Sequence, residues 1–128
     1  MVLDTSALVA ILFDEPERHD FVGMILAARR RLVSVATVVE SSIVVEARRG
    51  EAAGRELDLF LHRANIQSIA VDEEQAQIAR AAWRRYGKGH HPAGLNLGDV
   101  FAYALARATG EPLLFKGDDF AQTDIVAA

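Results

Sequence analysis

The feature that most constrains this chain is a recurring rhythm of short apolar runs set between segments of helical length. Strands are predicted over Met1–Asp4, Leu32–Val35, Ile66–Val71 and Pro112–Phe115, each too short for a stable helix. Helices are predicted over Ser6–Phe13 and over Pro16–Arg30, the latter with proline in its first turn. Further helices are expected over Thr37–Arg49, closed by Gly50, and over Glu51–Ala64. Asp72 caps another that runs to Tyr86 and stops at Gly87, and a last one covers Asp99–Ala108 and ends at Gly110. The Gly/His/Pro/Asn segment Lys88–Asn96 reads as a loop. Strands separated by helices imply an α/β fold: three layers, with a central, mostly parallel sheet of four to five short strands and helices on both faces. Ligands in such folds bind beyond the carboxyl ends of the strands, so chemistry is sought there.

With 128 residues and no repeat or linker, the sequence is expected to form a single domain over residues 1–128. Cysteine is absent, which removes disulfides, thiolate metal sites and thiol nucleophiles, and suits a cytoplasmic location. The opening MVLDTSALVA has no basic leader, and no apolar stretch is long enough to span a bilayer. The net charge of −4 looks unfavourable for binding phosphate. It becomes neutral once four carboxylates are set aside as metal ligands, so charge neither requires nor forbids an RNA substrate.

Four acids stand out by position. Asp4 directly follows the first strand; an N-cap role is the ordinary alternative, although Thr5 or Ser6 would suffice for that. Glu40 has apolar helical neighbours Ala36, Ile43, Val44 and Ala47, which predicts a core-facing carboxylate, costly unless paired or bound to metal. The competing account is a capping box over Thr37-Val38-Val39-Glu40. Asp99 opens a helix beside Ala102, Tyr103 and Ala106; favourable interaction with the helix dipole is its alternative. Asp118 lies in the turn Lys116-Gly117-Asp118-Asp119, where Gly-Asp sequences also make simple Asx turns. Together, hard oxygen ligands without His or Cys select Mg²⁺ or Mn²⁺. Carboxylates holding such an ion can support in-line displacement at phosphorus.

VLDTSAL, VVE, LNLGDVFAYALA and LLFKGDDF occur in this order along essentially the whole chain, and here the sequence resembles the VapC toxins. These are PIN-domain nucleases of type II toxin–antitoxin pairs. The resemblance implies a PIN-like fold and a Mg²⁺-dependent endoribonuclease, with Mn²⁺ as a substitute. It also implies an RNA substrate, a cognate VapB-like antitoxin and a homodimer. The metal-site acids carry over onto Asp4, Glu40 and Asp99, with Ser6 as a water-positioning hydroxyl. The fourth acid departs from the common Thr-x-Asp-x-Asp-Phe pattern: Gly117 stands where the family's acid usually stands. Asp118 is taken as the fourth, with Asp119 as alternate.

Arg84, Arg85, Lys88, His90 and His91 form a candidate basic rim for RNA, a solvated helix end being the alternative. Arg29-Arg30-Arg31 reads as a solvated helix terminus. The stripes Leu57, Phe60, Leu61 and Phe21, Val22, Ile25 fit core, dimer contact or antitoxin groove equally. A catalytically inactive PIN-like binding module remains as a second class of function. A haloacid-dehalogenase-type phosphatase is a third, but it needs an acid where Ser6 stands and leaves Glu40 unused.

Overall fold

A computed structural model describes residues 1–128. Four short strands form one parallel sheet: β1 (Val2–Leu3), β2 (Leu32–Ser34), β3 (Gln67–Ile69) and β4 (Leu113–Leu114), ordered β3-β2-β1-β4. Six helices connect them: α1 (Thr5–Leu12), α2 (Arg18–Ala27), α3 (Val35–Arg49), α4 (Glu51–Arg63), α5 (Glu73–Tyr86) and α6 (Leu97–Thr109). Side chains alternate across the pleat, and that period of two divides the core. Val2, Leu32 and Leu113 face α5 and α6, where they meet Tyr86, Val100, Tyr103 and Leu105. Leu3, Val33 and Leu114 face the other way, onto Leu8, Ile25, Leu57 and Leu61 of α1, α2 and α4. Each fully buried Leu or Val contributes roughly 1.5–3 kcal/mol, so three-residue strands suffice when both faces are covered.

The strand order places the site. From β1 the chain moves outward through β2 to β3, then returns to lay β4 on the opposite side of β1. The switch in direction falls between β1 and β4, and Asp4 emerges there; its N–H bonds Leu114 O at 3.0 Å.

Three helix starts differ from expectation by two residues, each for a local reason. α3 begins at Val35 because Ser34 caps it, accepting from Ala36 N at 3.2 Å. Thr37 is therefore inside the first turn, buried and without a partner, and the competing Thr37–Glu40 capping box does not exist. α6 begins at Leu97, where Asn96 and Asp99 form a reciprocal capping box. α2 begins at Arg18, because Asp14 (φ +54°) turns the chain through residues 14–17 and leaves Pro16 outside the helix.

Other segments sharpen the reading. The 88–96 loop is tied at its base by a bridge between Gly87 and Leu95. Ala127 makes an isolated parallel bridge to Leu113, the only trace of a fifth strand. Arg31 is not a solvated terminus: its guanidinium donates to Leu26 O, Ala28 O and Ala64 O, joining the ends of α2 and α4. Leu57, Leu61 and Ile25 are fully packed core, with Phe21, Val22 and Phe60 against them. No helix is long and apolar enough to cross a membrane.

Candidate active site

A cleft at the switch point is lined by Asp4, Thr5, Ser6, Val9, Glu15, Glu40, Val44, Arg48, Asn96, Asp99, Lys116 and Gly117. Three of the four expected acids thus share one opening, each delivered by a different element.

Asp4 is the N-cap of α1 and is only 3% exposed. Its Oδ2 accepts from Ser6 N at 2.9 Å and from Ser6 Oγ at 2.7 Å. Oδ1 is buried with no partner. Capping and ligation were alternatives in the sequence; here one oxygen does the first and the other is left for the second. Burial raises the carboxyl above its usual range, the Ser6 hydrogen bonds pull it down, and the Glu40 charge raises it further.

Glu40 does not face the core. The buried residues of α3 are Thr37, Ser41 and Val45, one helical face away, while Ile43 is 62% exposed. Its carboxylate instead lies in the cleft wall, where the Thr5 hydroxyl donates to Oε1 and Ser41 Oγ donates to Thr5 Oγ1 at 3.3 Å. The other side is set by Gly98: a Cβ there would lie 1.7 Å from Glu40 Oε2. A glycine inside a helix costs about 1 kcal/mol relative to alanine, and here it admits a carboxylate beside Asp99.

Asp99 accepts from Asn96 N at 2.9 Å, while Ala102, Tyr103 and Ala106 behind it are buried. Its carboxyl is pushed up to about 7, mainly by burial; the Asn96 hydrogen bond opposes this, and the charges of Asp4, Glu40 and Asp119 add to it. Asp118 is exposed and is not brought to the cleft. Gly117, in the family's acid position, has φ +100°, which excludes most side chains without strain. Asp119, the alternate, is likewise exposed and outside the cleft lining, although its charge adds to those that raise Asp99.

The Ser6 hydroxyl donates to Asp4 and accepts from Lys116 N at 2.9 Å. It fixes Asp4 and pins the turn after β4, with one acceptor lone pair left over. Thr5, Ser41 and Gly98 were not singled out in the sequence as site residues. Their roles depend on partners distant along the chain and have no local signature.

The basic rim is less available than its sequence implies. Arg85 pairs with Asp124, which also takes Arg107 and the Tyr103 hydroxyl. His90 packs edge-on against Trp83 and His91 against Tyr86, and His91 Nδ1 accepts from Ala93 N. None of these five residues lines the acid cleft.

The donor set suits a hard divalent cation: carboxylate oxygens from Asp4, Glu40 and Asp99, one of them buried and unpaired. In this arrangement no three acids already enclose an ion. Glu40 is held by the Thr5 hydroxyl and Asp99 by Asn96 N. A cation would remove the mutual repulsion and the burial cost that now raise Asp4 and Asp99.

The PIN-domain family model matches residues 1–126. Ribonuclease VapC30 of Mycobacterium tuberculosis is 58% identical over 125 residues, covering 98% of this chain and 95% of that protein. Ribonuclease VapC of Mycolicibacterium smegmatis is 57% identical over 127 residues, covering 99% and 98%. Among solved structures, M. tuberculosis VapC20, a sarcin–ricin-loop-cleaving toxin, superposes with a TM-score of 0.80 at 14% identity, covering 99% of this chain and 97% of that one. The toxin–antitoxin complex from Klebsiella pneumoniae contains a chain with a TM-score of 0.72 at 19% identity, covering 99% and 95%.

Proposed function

The chain belongs to the PIN-domain family, among its VapC ribonuclease toxins, and from that premise we propose that Asp4, Glu40 and Asp99 hold Mg²⁺ for hydrolysis of RNA phosphodiester bonds. The observation that carries the proposal is Asp4 Oδ1, a buried and unpartnered carboxylate oxygen facing a cleft shared with two further acids. Leaving such a group unsatisfied costs about 1–3 kcal/mol, more when charged, which a bound cation offsets. A divalent cation bound there would supply charge neutralisation at the phosphate and an acidified water.

The chain's own residues do the remaining work. Ser6 holds Asp4 in one rotamer through two hydrogen bonds to Oδ2. Thr5, backed by Ser41, aims Glu40, and Gly98 lets that carboxylate approach Asp99. Of the two acids in the turn after β4, Asp119 is the one we take as supporting the site, because its charge raises Asp99. With an apparent value near 7, Asp99 in the metal-free protein exchanges its proton at physiological pH.

This protein acts as the toxin of a type II toxin–antitoxin pair, in the cytoplasm, with a VapB-like antitoxin as partner. The solved complex of a structurally similar chain supports that partner. A homodimer is supported by the α3 stripe Val35, Val39 and Ile43, spaced four residues apart and 40–62% exposed. Beside it, α5 and α6 open an apolar groove lined by Ala79, Trp83, Leu97 and Phe101.

Incubating purified protein with total RNA in Mg²⁺ and in EDTA tests the proposal. Discrete cleavage with Mg²⁺ and none with EDTA is expected; cleavage indifferent to EDTA contradicts the metal site. RNA that stays intact under both conditions identifies an inactive binding module instead.

A further inference from the structure

Two cations line the acid cleft, Lys116 and Arg48, and only one of them is free of a carboxylate partner. Lys116 lies in the cleft wall but is held by Glu15 and by Glu17, the latter at 3.1 Å. Arg85 and Arg107 belong to Asp124, Arg30 to Glu111, and Arg31 to three backbone carbonyls. Arg48 is the exception: it lines the cleft, is exposed, and has no carboxylate within salt-bridge distance.

Arg48 is nevertheless ordered by packing. Its guanidinium lies 5.3 Å from the centre of the Phe13 ring, and that of Arg49 lies 4.2 Å from the same ring. Phe13 is the C-cap of α1, the helix whose opposite end carries Asp4. A planar cation over an aromatic face keeps its N–H edges free for bidentate contact with a phosphate. Arg48 is also two helical turns beyond Glu40 on one face of α3, about 12 Å along the axis. That spacing along the helix suits a phosphate further along the strand rather than the one being cut.

We propose that the RNA strand leaves the acid cleft over Phe13, with Arg48 gripping a flanking phosphate and Arg49 extending the same platform. The assignment rests on the RNA-cleaving reading of the cleft. It moves the substrate path away from the Arg84–His91 rim and onto the junction of α1 with the last turn of α3. The pair supplies affinity rather than chemistry, so it belongs to substrate binding and not to the reacting centre.

The test is fluorescence anisotropy of a labelled single-stranded oligoribonucleotide in EDTA, over a series of salt concentrations, with KM and kcat then measured in Mg²⁺. Arg48→Gln is expected to raise Kd and KM roughly tenfold, as for removal of a charged hydrogen bond, with kcat held. The slope of log K against log salt should fall by about 0.7 for each phosphate that is no longer neutralised. Phe13→Leu, which removes the platform and keeps both charges, should weaken binding several-fold with the salt slope unchanged. Arg84→Gln with Lys88→Gln should change Kd less than Arg48→Gln alone. Wild-type binding and salt slope in Arg48→Gln overturn the proposal, as does a larger effect from the Arg84/Lys88 pair; in both cases RNA cleavage by the wild type stands. A wild-type protein that neither binds nor cuts RNA overturns the cleft reading and this path together.

Discussion

Asp99→Asn is expected to destroy activity and yet stabilise the metal-free protein. The substitution keeps an oxygen that can accept from Asn96 N, so the capping box of α6 survives. It removes a charge that burial and the neighbouring acids Asp4, Glu40 and Asp119 oppose. A carboxyl raised from 3.8 to about 7 corresponds to about 4 kcal/mol at 1.36 kcal/mol per pH unit. Asp99 sits at the cleft mouth, where solvent screens part of that, and about 2 kcal/mol is the working figure. The sign follows from proton binding. Between pH 3.8 and 7 the folded protein holds this proton and the unfolded chain has lost it, so wild-type stability falls as pH rises through that window. The variant lacks this fall. In EDTA at pH 8 its melting temperature should therefore exceed that of wild type by about 7 °C, from a typical unfolding entropy for a chain of this length. The gap should shrink toward pH 4. Excess Mg²⁺ should reverse the ranking, because a ligand at a hundredfold its Kd adds about 2.7 kcal/mol to the protein that binds it. A variant less stable than wild type in EDTA at pH 8, or a gap independent of pH, would refute the reasoning.

Two further substitutions probe the geometry. Gly98→Ala should lower activity at least tenfold while changing stability by less than about 1 kcal/mol, because the new Cβ displaces only the end of Glu40 and alanine favours the helix; unfolding and cleavage assays on one preparation check both, and unchanged activity would remove Glu40 from the site. Asp119→Asn should cost more activity than Asp118→Asn, since Asp119 is among the charges that raise the Asp99 carboxyl; kcat/KM for the two variants decides, and the opposite order would give the fourth place to Asp118.

Much of the fold was legible because it rests on local rules. Short apolar runs between segments of helical length fit strands, three of which are buried on both faces while β3 lies at an exposed edge, and Gly50, Gly87 and Gly110 marked helix ends correctly. Helix starts were less legible, because Ser34 and Asn96 outcompeted the caps nearest the periodic apolar residues. Asp4 and Asp99 could be read from position alone, one at a strand end and one in the first turn of an apolar helix. The structure corrects the argument for Glu40: of its apolar neighbours Ile43 and Ala47 are exposed and Ala36 and Val44 only half-buried, and its partners are Thr5 and Gly98 from distant parts of the chain. The turn after β4 was the least legible part: Gly117 takes a left-handed conformation, and Asp118 and its alternate Asp119 are both exposed and outside the cleft lining, so spacing in sequence does not select between them.

The central claim is that Asp4 Oδ1 is a ligand in waiting, and Asp4→Asn tests it most directly. Calorimetric titration with Mn²⁺ and Mg²⁺, cleavage of RNA and thermal unfolding would be measured on the same wild-type and variant preparations. Wild type is expected to bind metal and cut RNA, whereas Asp4→Asn stays folded, with its α1 cap retained by the amide oxygen, binds metal at least tenfold more weakly and leaves RNA uncut. A folded Asp4→Asn protein that binds metal and cleaves RNA like wild type would contradict the claim.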